Sequence, residues 1–130
     1  MIPTRTILAD ESGATAVEFA LTAPIFIMLL FGIIECGLAL WTQFGLQYGT
    51  EAAARCASID TTTCSSASAT ASYAASNALG LTVPASTFTA TTPSCGNLVQ
   101  ASYVYTFLTS YFGTPRVTLT AQSCFPAQTL

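Results

Sequence analysis

The chain contains no histidine and no lysine, and only 7% of its 130 residues are charged. Without histidine the commonest general base near neutral pH is missing, and no imidazole is available to ligate a metal. The acids are Asp10, Glu11, Glu18, Glu35, Glu51 and Asp60, and beyond Asp60 the one charged side chain is Arg116. Acid–base work would fall to carboxylates, and the stretch after Asp60 has none, so its many serine and threonine hydroxyls have no base to activate them. Arg5, Arg55 and Arg116 form no basic stripe, and the pI is near 4.4. A phosphate-neutralising surface is thereby excluded. The five cysteines lack the close paired spacing of a zinc site. These absences predict no enzyme, no cofactor or metal, no nucleic-acid partner and no small-molecule substrate.

What the chain has in quantity is apolar: hydrophobic residues make up 52%. From Phe19 to Phe44 the ionisable side chains are Glu35 and the thiol of Cys36. About 20 apolar residues cross a bilayer core as a helix, so the run 19–44 is long enough to span. Trp41 near its end suits a membrane–water interface. Residues 1–13 form a polar leader with acids, not bases, ahead of the apolar run. A secretory signal would be more basic at its start and shorter in its core. Gly37-Leu38-Ala39 still offers a small-x-small site, with cleavage before Leu40 as the alternative. A lipoprotein site at Cys36 fails, because Glu35 stands where a small residue is needed.

The helix extends past the run. Gln43 to Ala57 is rich in alanine, and Glu51 and Arg55 stand in the favoured i,i+4 order. A helix over 14–57 would be roughly 65 Å long at 1.5 Å per residue. Pro24 should kink it. Gly45 and Gly49, at small-xxx-small spacing, permit close helix–helix approach. A second helix is predicted over 65–79, with Gly80 as its C-cap. The period then changes to two: over 87–91, at Val99, Ala101, Tyr103, Tyr105 and Phe107, and at Val117, Leu119 and Ala121. Turn signals at Thr92-Pro93-Ser94, Gly96-Asn97 and Gly113-Thr114-Pro115 separate these segments. Short connections imply an antiparallel three-stranded meander covered by the helices. The fold class is α+β: a long N-terminal membrane-spanning helix, then a head over 58–130 with a short helix and a three-stranded sheet.

Ser12-Gly13-Ala14-Thr15-Ala16-Val17-Glu18-Phe19 places a small-residue junction, with an acid five positions after the glycine, at the edge of the apolar run. This order resembles the class III prepilin signal. Together with Ala20-Leu21, Pro24, Gly32-Ile33-Ile34-Glu35 and Glu51-Ala52-Ala53-Ala54-Arg55, it resembles the TadE/TadG-like pseudopilins of tight-adherence, Flp-type pili. The resemblance covers about the first 60 residues, and the remainder agrees only in general character. It implies a pilin-like fold, cleavage between Gly13 and Ala14 by a prepilin peptidase, and a minor pseudopilin partnered by other pilin and pseudopilin subunits. It also implies single-pass residence in a bacterial inner membrane, the N-terminus cytoplasmic and the head outside. In such proteins the acid matching Glu18 offsets the new terminal amine of a neighbouring subunit. A carboxylate near hydrocarbon is costly unless paired, which gives that role a physical reason. Glu35 matches the family's second acidic position, which carries no assigned role. Pairing between helices and placement at the outer membrane edge both satisfy it. The other class of function is a bitopic anchor whose head binds a partner, which would need no processing.

Four cysteines follow the apolar run, an even number that fits disulfides in an oxidising compartment and places the head outside the cytoplasm. They can pair in three ways. Cys56 ends the long helix and Cys64 precedes the next, while in a meander Cys124 returns beside Cys95. That topology favours Cys56–Cys64 with Cys95–Cys124 and leaves Cys36 as a small apolar filler in lipid.

Overall fold

A computed structural model describes residues 11–108, 113 and 115–128. The expected leader lies outside the described residues except for 11–13, and so does Thr114 of the expected turn Gly113-Thr114-Pro115. Helix α1 runs Glu11–Ile59, with Pro24 inside it. Two compact units divide the chain between Ile34 and Glu35.

In the first unit, every side chain described from 13 to 34 is exposed except the half-buried Ala23. Phe19 is 72% exposed and Ile25 68%. A helix that is apolar all round and uncovered needs an apolar surrounding.

The second unit begins with α1 from Glu35 onward, where one face turns inward. Glu35, Thr42, Leu46, Thr50 and Ala53 are buried on one stripe of the helix, at spacings that return to the same face. Helix α2, Ala67–Ser76, packs beside it. Ser66 caps α2, its hydroxyl accepting from the Ala69 N–H at 3.2 Å. The helix is shorter than predicted at its C-terminus. The Asn77 side chain donates to the Tyr73 carbonyl at 2.9 Å. Leu79 and Gly80 then take positive φ angles of 49° and 77°, which no α-helix continues through.

A short 3-10 turn, Ala85–Thr87, leads into the sheet: β1 Phe88–Thr91, β2 Asn97–Thr106 and β3 Arg116–Phe125. The order is β1-β2-β3 and both pairings are antiparallel, the expected meander. The ladder between β2 and β3 is longer than the alternation alone indicated, from Asn97 opposite Phe125 to Thr106 opposite Arg116.

The core gathers Leu46, Ala53 and Ala54 from α1, Ala71, Ala74 and Ala78 around α2, and Phe88, Val99, Ala101 and Ala121 from the sheet. Most of these are alanines. Each buries little apolar area, so the head gains less from burial than a leucine-rich core would, and it depends on close backbone approach. The glycines provide that approach. A Cβ at Gly49 would stand 2.7 Å from the Ala74 carbonyl oxygen, and one at Gly45 would stand 2.8 Å from that of Ala78 and collide with Leu81. The small-xxx-small pair therefore seats α1 on α2 and the turn after it, within one molecule.

Polar side chains fix the register of α1 along the sheet. Gln43 Nε2 donates to the Thr120 carbonyl at 2.8 Å, and Gln47 Nε2 to that of Gln122 at 3.4 Å. Both acceptors lie on β3, an edge strand, whose open main chain is thus partly covered. At the far end Asn97 Nδ2 donates to Ser58 Oγ at 3.1 Å. Strand β2 starts beside Ser58 and runs back along α1 toward Glu35.

Candidate functional site

Gly13, Ala14, Glu18 and Phe19 occupy the first turns of α1, and all four are exposed. A Cβ at Gly13 would meet nothing within 4 Å, and its φ is not in the left-handed region. The fold therefore does not require glycine there, although glycine costs roughly 1 kcal/mol against alanine inside a helix. Gly32 and Gly37 are equally open. What distinguishes Gly13 is its place ahead of Glu18-Phe19. Glu18 stands one turn beyond Ala14 and so on the same helical face. Were the chain to begin at Ala14, that carboxylate would lie in the first turns of the helix, where negative charge is favoured. Thr22 Oγ1 donates to the Glu18 carbonyl at 3.0 Å.

Glu18 belongs to the first unit and Glu35 to the second. Glu35 is only 5% exposed, although its neighbours Ile34, Cys36 and Leu38 are open. What stands near it is the sheet. Burial pushes the Tyr105 hydroxyl's pKa above its ordinary value, and the negative charge of Glu35 and the presence of Tyr103 push it the same way. Tyr103 and Tyr105 are alternate residues of β2 and so share a face. The Tyr105 ring also meets Phe107 edge to face, centroids 5.2 Å apart. Of these residues it is Tyr105 that feels the carboxylate. In sequence Glu35 suggested a neighbouring helix or the membrane edge, and the sheet was missed. The alternation Tyr103, Tyr105, Phe107 was the available signal.

The structure joins Cys56 to Cys64, Cα atoms 5.9 Å apart, and Cys95 to Cys124, 6.4 Å apart. Cys36 is free and exposed. The first bridge closes the corner after α1, where Asp60 also acts. Asp60 Oδ1 accepts from the N–H groups of Thr62 and Thr63, both at 3.1 Å, and Oδ2 accepts from the Thr63 hydroxyl. Hydrogen bonds from Thr62 and Thr63 hold its carboxyl well below the usual carboxylate range. The second bridge joins the turn before β2 to the end of β3, where Leu98 lies opposite Cys124.

An open cleft of about 610 Å³ is lined by Tyr48, Glu51, Arg55, Asp60, Tyr73 and Phe125 among others. Glu51 takes its hydrogen bond from Gln47 Nε2 at 3.1 Å, where the spacing had suggested Arg55. The cleft holds two exposed carboxylates and a guanidinium, and the Asp60 carboxylate is already engaged by Thr62 and Thr63 at the corner. Among the described residues no cluster of three or more histidine, cysteine or acidic side chains could hold a metal.

Residues 13–55 match the family described as TadE-like protein. The match begins at Gly13 and ends at Arg55, taking in Glu18, Glu35 and the glycines under α2. No curated protein and no solved structure matches the chain. TadE-like proteins are associated with the Tad pilus, and α1 is long and apolar enough to cross a membrane once.

Proposed function

We propose, from the TadE-like character of residues 13–55, that this chain is a minor pseudopilin: a structural and assembly component of a tight-adherence, Flp-type pilus or its secretion machine. A prepilin peptidase removes residues 1–13, and the product stays in the inner membrane until it joins other pilin and pseudopilin subunits. One observation carries this reading. An exposed, sterically unneeded glycine stands immediately before Ala14 and Glu18-Phe19, at the start of a helix whose described side chains from 13 to 34 are exposed except at Ala23.

Within the expected span 19–44, residues from Glu35 onward already have one face on the head. The wholly lipid-facing part is then 14–34, roughly 31 Å at 1.5 Å per residue, close to the thickness of a bilayer core. The two disulfides favour a head on the oxidising side. The expressed protein tests the proposal: Gly13→Leu should accumulate as uncut, membrane-bound precursor. Processing of that variant as efficiently as the native chain would mean that the protease does not read Gly13, and would defeat the proposal.

A further inference from the structure

The open cleft beside α1 contains a guanidinium that its own chain leaves unused. Arg55 is exposed, and among the described residues it makes no hydrogen bond or ion pair. Glu51, one turn earlier on the same face, is exposed too and accepts at Oε1 from Gln47 Nε2 at 3.1 Å. An uncovered apolar side chain stands on either side of these two charges. Tyr48 is 51% exposed and Ile59 62%. All four residues belong to α1, and their spacings of three, four and four return to one stripe of the helix. Half-buried Ala52 lies within the stripe and borders the same cleft, so a neighbour can approach the helix closely there.

The charges identify what this stripe fits. A partner for Arg55 must bring a carboxylate, and the chain has no acid after Asp60. Glu35 is only 5% exposed. Asp60 has given Oδ1 to the Thr62 and Thr63 N–H groups and Oδ2 to the Thr63 hydroxyl. Within the second unit, Glu51 is therefore the acid open to another molecule. The stripe runs apolar, acidic, basic, apolar, and that order is complementary to itself. A second copy that is reversed, or displaced by one helical turn, brings its Glu51 to Arg55. A copy placed residue against residue would instead oppose Arg55 to Arg55 and Glu51 to Glu51, which repel.

We propose that two copies of this chain meet through the α1 stripe Tyr48–Ile59, Glu51 of one copy pairing with Arg55 of the other. Tyr48 and Ile59 flank the pair and exclude water from it. An exposed pair would contribute little, whereas an enclosed one discriminates strongly between opposite and like charges. The contact lies wholly within the second unit and does not depend on cleavage after Gly13.

Charge reversal in full-length chains tests this. Two differently tagged copies are co-expressed, extracted in mild detergent and recovered through one tag. Both disulfides are checked by non-reducing peptide mapping, so that a misfolded variant is recognised. Two native copies should recover each other. When both copies carry Glu51→Arg, or both carry Arg55→Glu, recovery should fall by about tenfold or more, because like charges then meet. A copy with Glu51→Arg expressed beside a copy with Arg55→Glu should restore recovery, since arginine at 51 now meets glutamate at 55 in the other molecule. Pairing within one chain cannot produce that rescue, because neither copy alone carries opposite charges at the two positions. Recovery unchanged by the single reversals would show that copies do not meet at this stripe and would overturn the proposal. Loss without rescue in the mixed pair, or no recovery between native copies, would overturn it equally.

Discussion

Burial raises the pKa of Tyr105 on β2, and the negative charge of Glu35 on α1 raises it further. Glu35 is only 5% exposed, so a carboxylate that would be costly in hydrocarbon is covered within the head. Glu35→Gln removes one cause of the shift, so the Tyr105 phenol should titrate at lower pH in that variant. Phenolate absorbance, with Tyr105→Phe as the subtraction, measures it. The raised folded-state value also fixes the pH response. Its contribution to stability is fully present below the unfolded tyrosine value of about 10 and is lost as pH rises through the folded one. An unchanged Tyr105 titration in Glu35→Gln would separate the two residues.

Gly49→Ala should destabilise the head by about 1–3 kcal/mol, because the new methyl meets main chain that cannot rotate away. Ala74 supplies that main chain, its carbonyl oxygen 2.7 Å from where the methyl would stand. Gly37→Ala is the matched control, since nothing lies within 4 Å of the added atom. It should leave the head unchanged or favour the helix by up to about 1 kcal/mol. Thermal unfolding of the full chain in detergent distinguishes the two. Equal unfolding temperatures would mean that α1 and α2 do not approach at Gly49.

The contrast between Gly49 and Glu35 shows what the chain's residues reveal unaided. Alternation at Val99, Ala101, Tyr103 and Tyr105, with short turn-forming connections, is enough to give the meander, and the meander in turn brings Cys124 back to Cys95. The spacing of Gly45 and Gly49 gives close approach, yet small residues look alike whether another molecule or α2 lies above them. Glu35 was illegible for a related reason. A single acid in an apolar run reads the same in lipid, at a membrane edge or under a sheet, and only the register set by Gln43, Gln47 and Asn97 decides. The early end of α2 was also hidden, since it depends on Asn77 bonding back to Tyr73 and on Leu79 accepting a positive φ.

Asp60 gives an acid-side prediction. Its folded-state pKa is depressed by hydrogen bonds from Thr62 and Thr63. The stability it contributes is therefore present above the unfolded aspartate value of about 4 and is lost as pH falls through the lower folded value. Asp60→Asn should unfold at a lower temperature than the native chain at neutral pH, and the difference should shrink as pH drops below about 4. A difference independent of pH would assign the corner's order to the Cys56–Cys64 bridge alone.

Glu18→Ala should leave processing and membrane insertion intact while the product fails to join the pilus complex. Glu18 is exposed, so its loss removes a charge partner without disturbing a core. Co-purification with tagged partner subunits from the native cell is the measurement. Normal recovery of the complex would show that the carboxylate has no role in assembly.

The cleavage itself is tested most directly by the intact mass of the mature protein from its native cell, followed by N-terminal peptide sequencing. The expected product is a chain that begins at Ala14, with two disulfides and Cys36 reduced. A chain beginning at Met1, or at Leu40 as signal peptidase would leave it, would contradict the pseudopilin account.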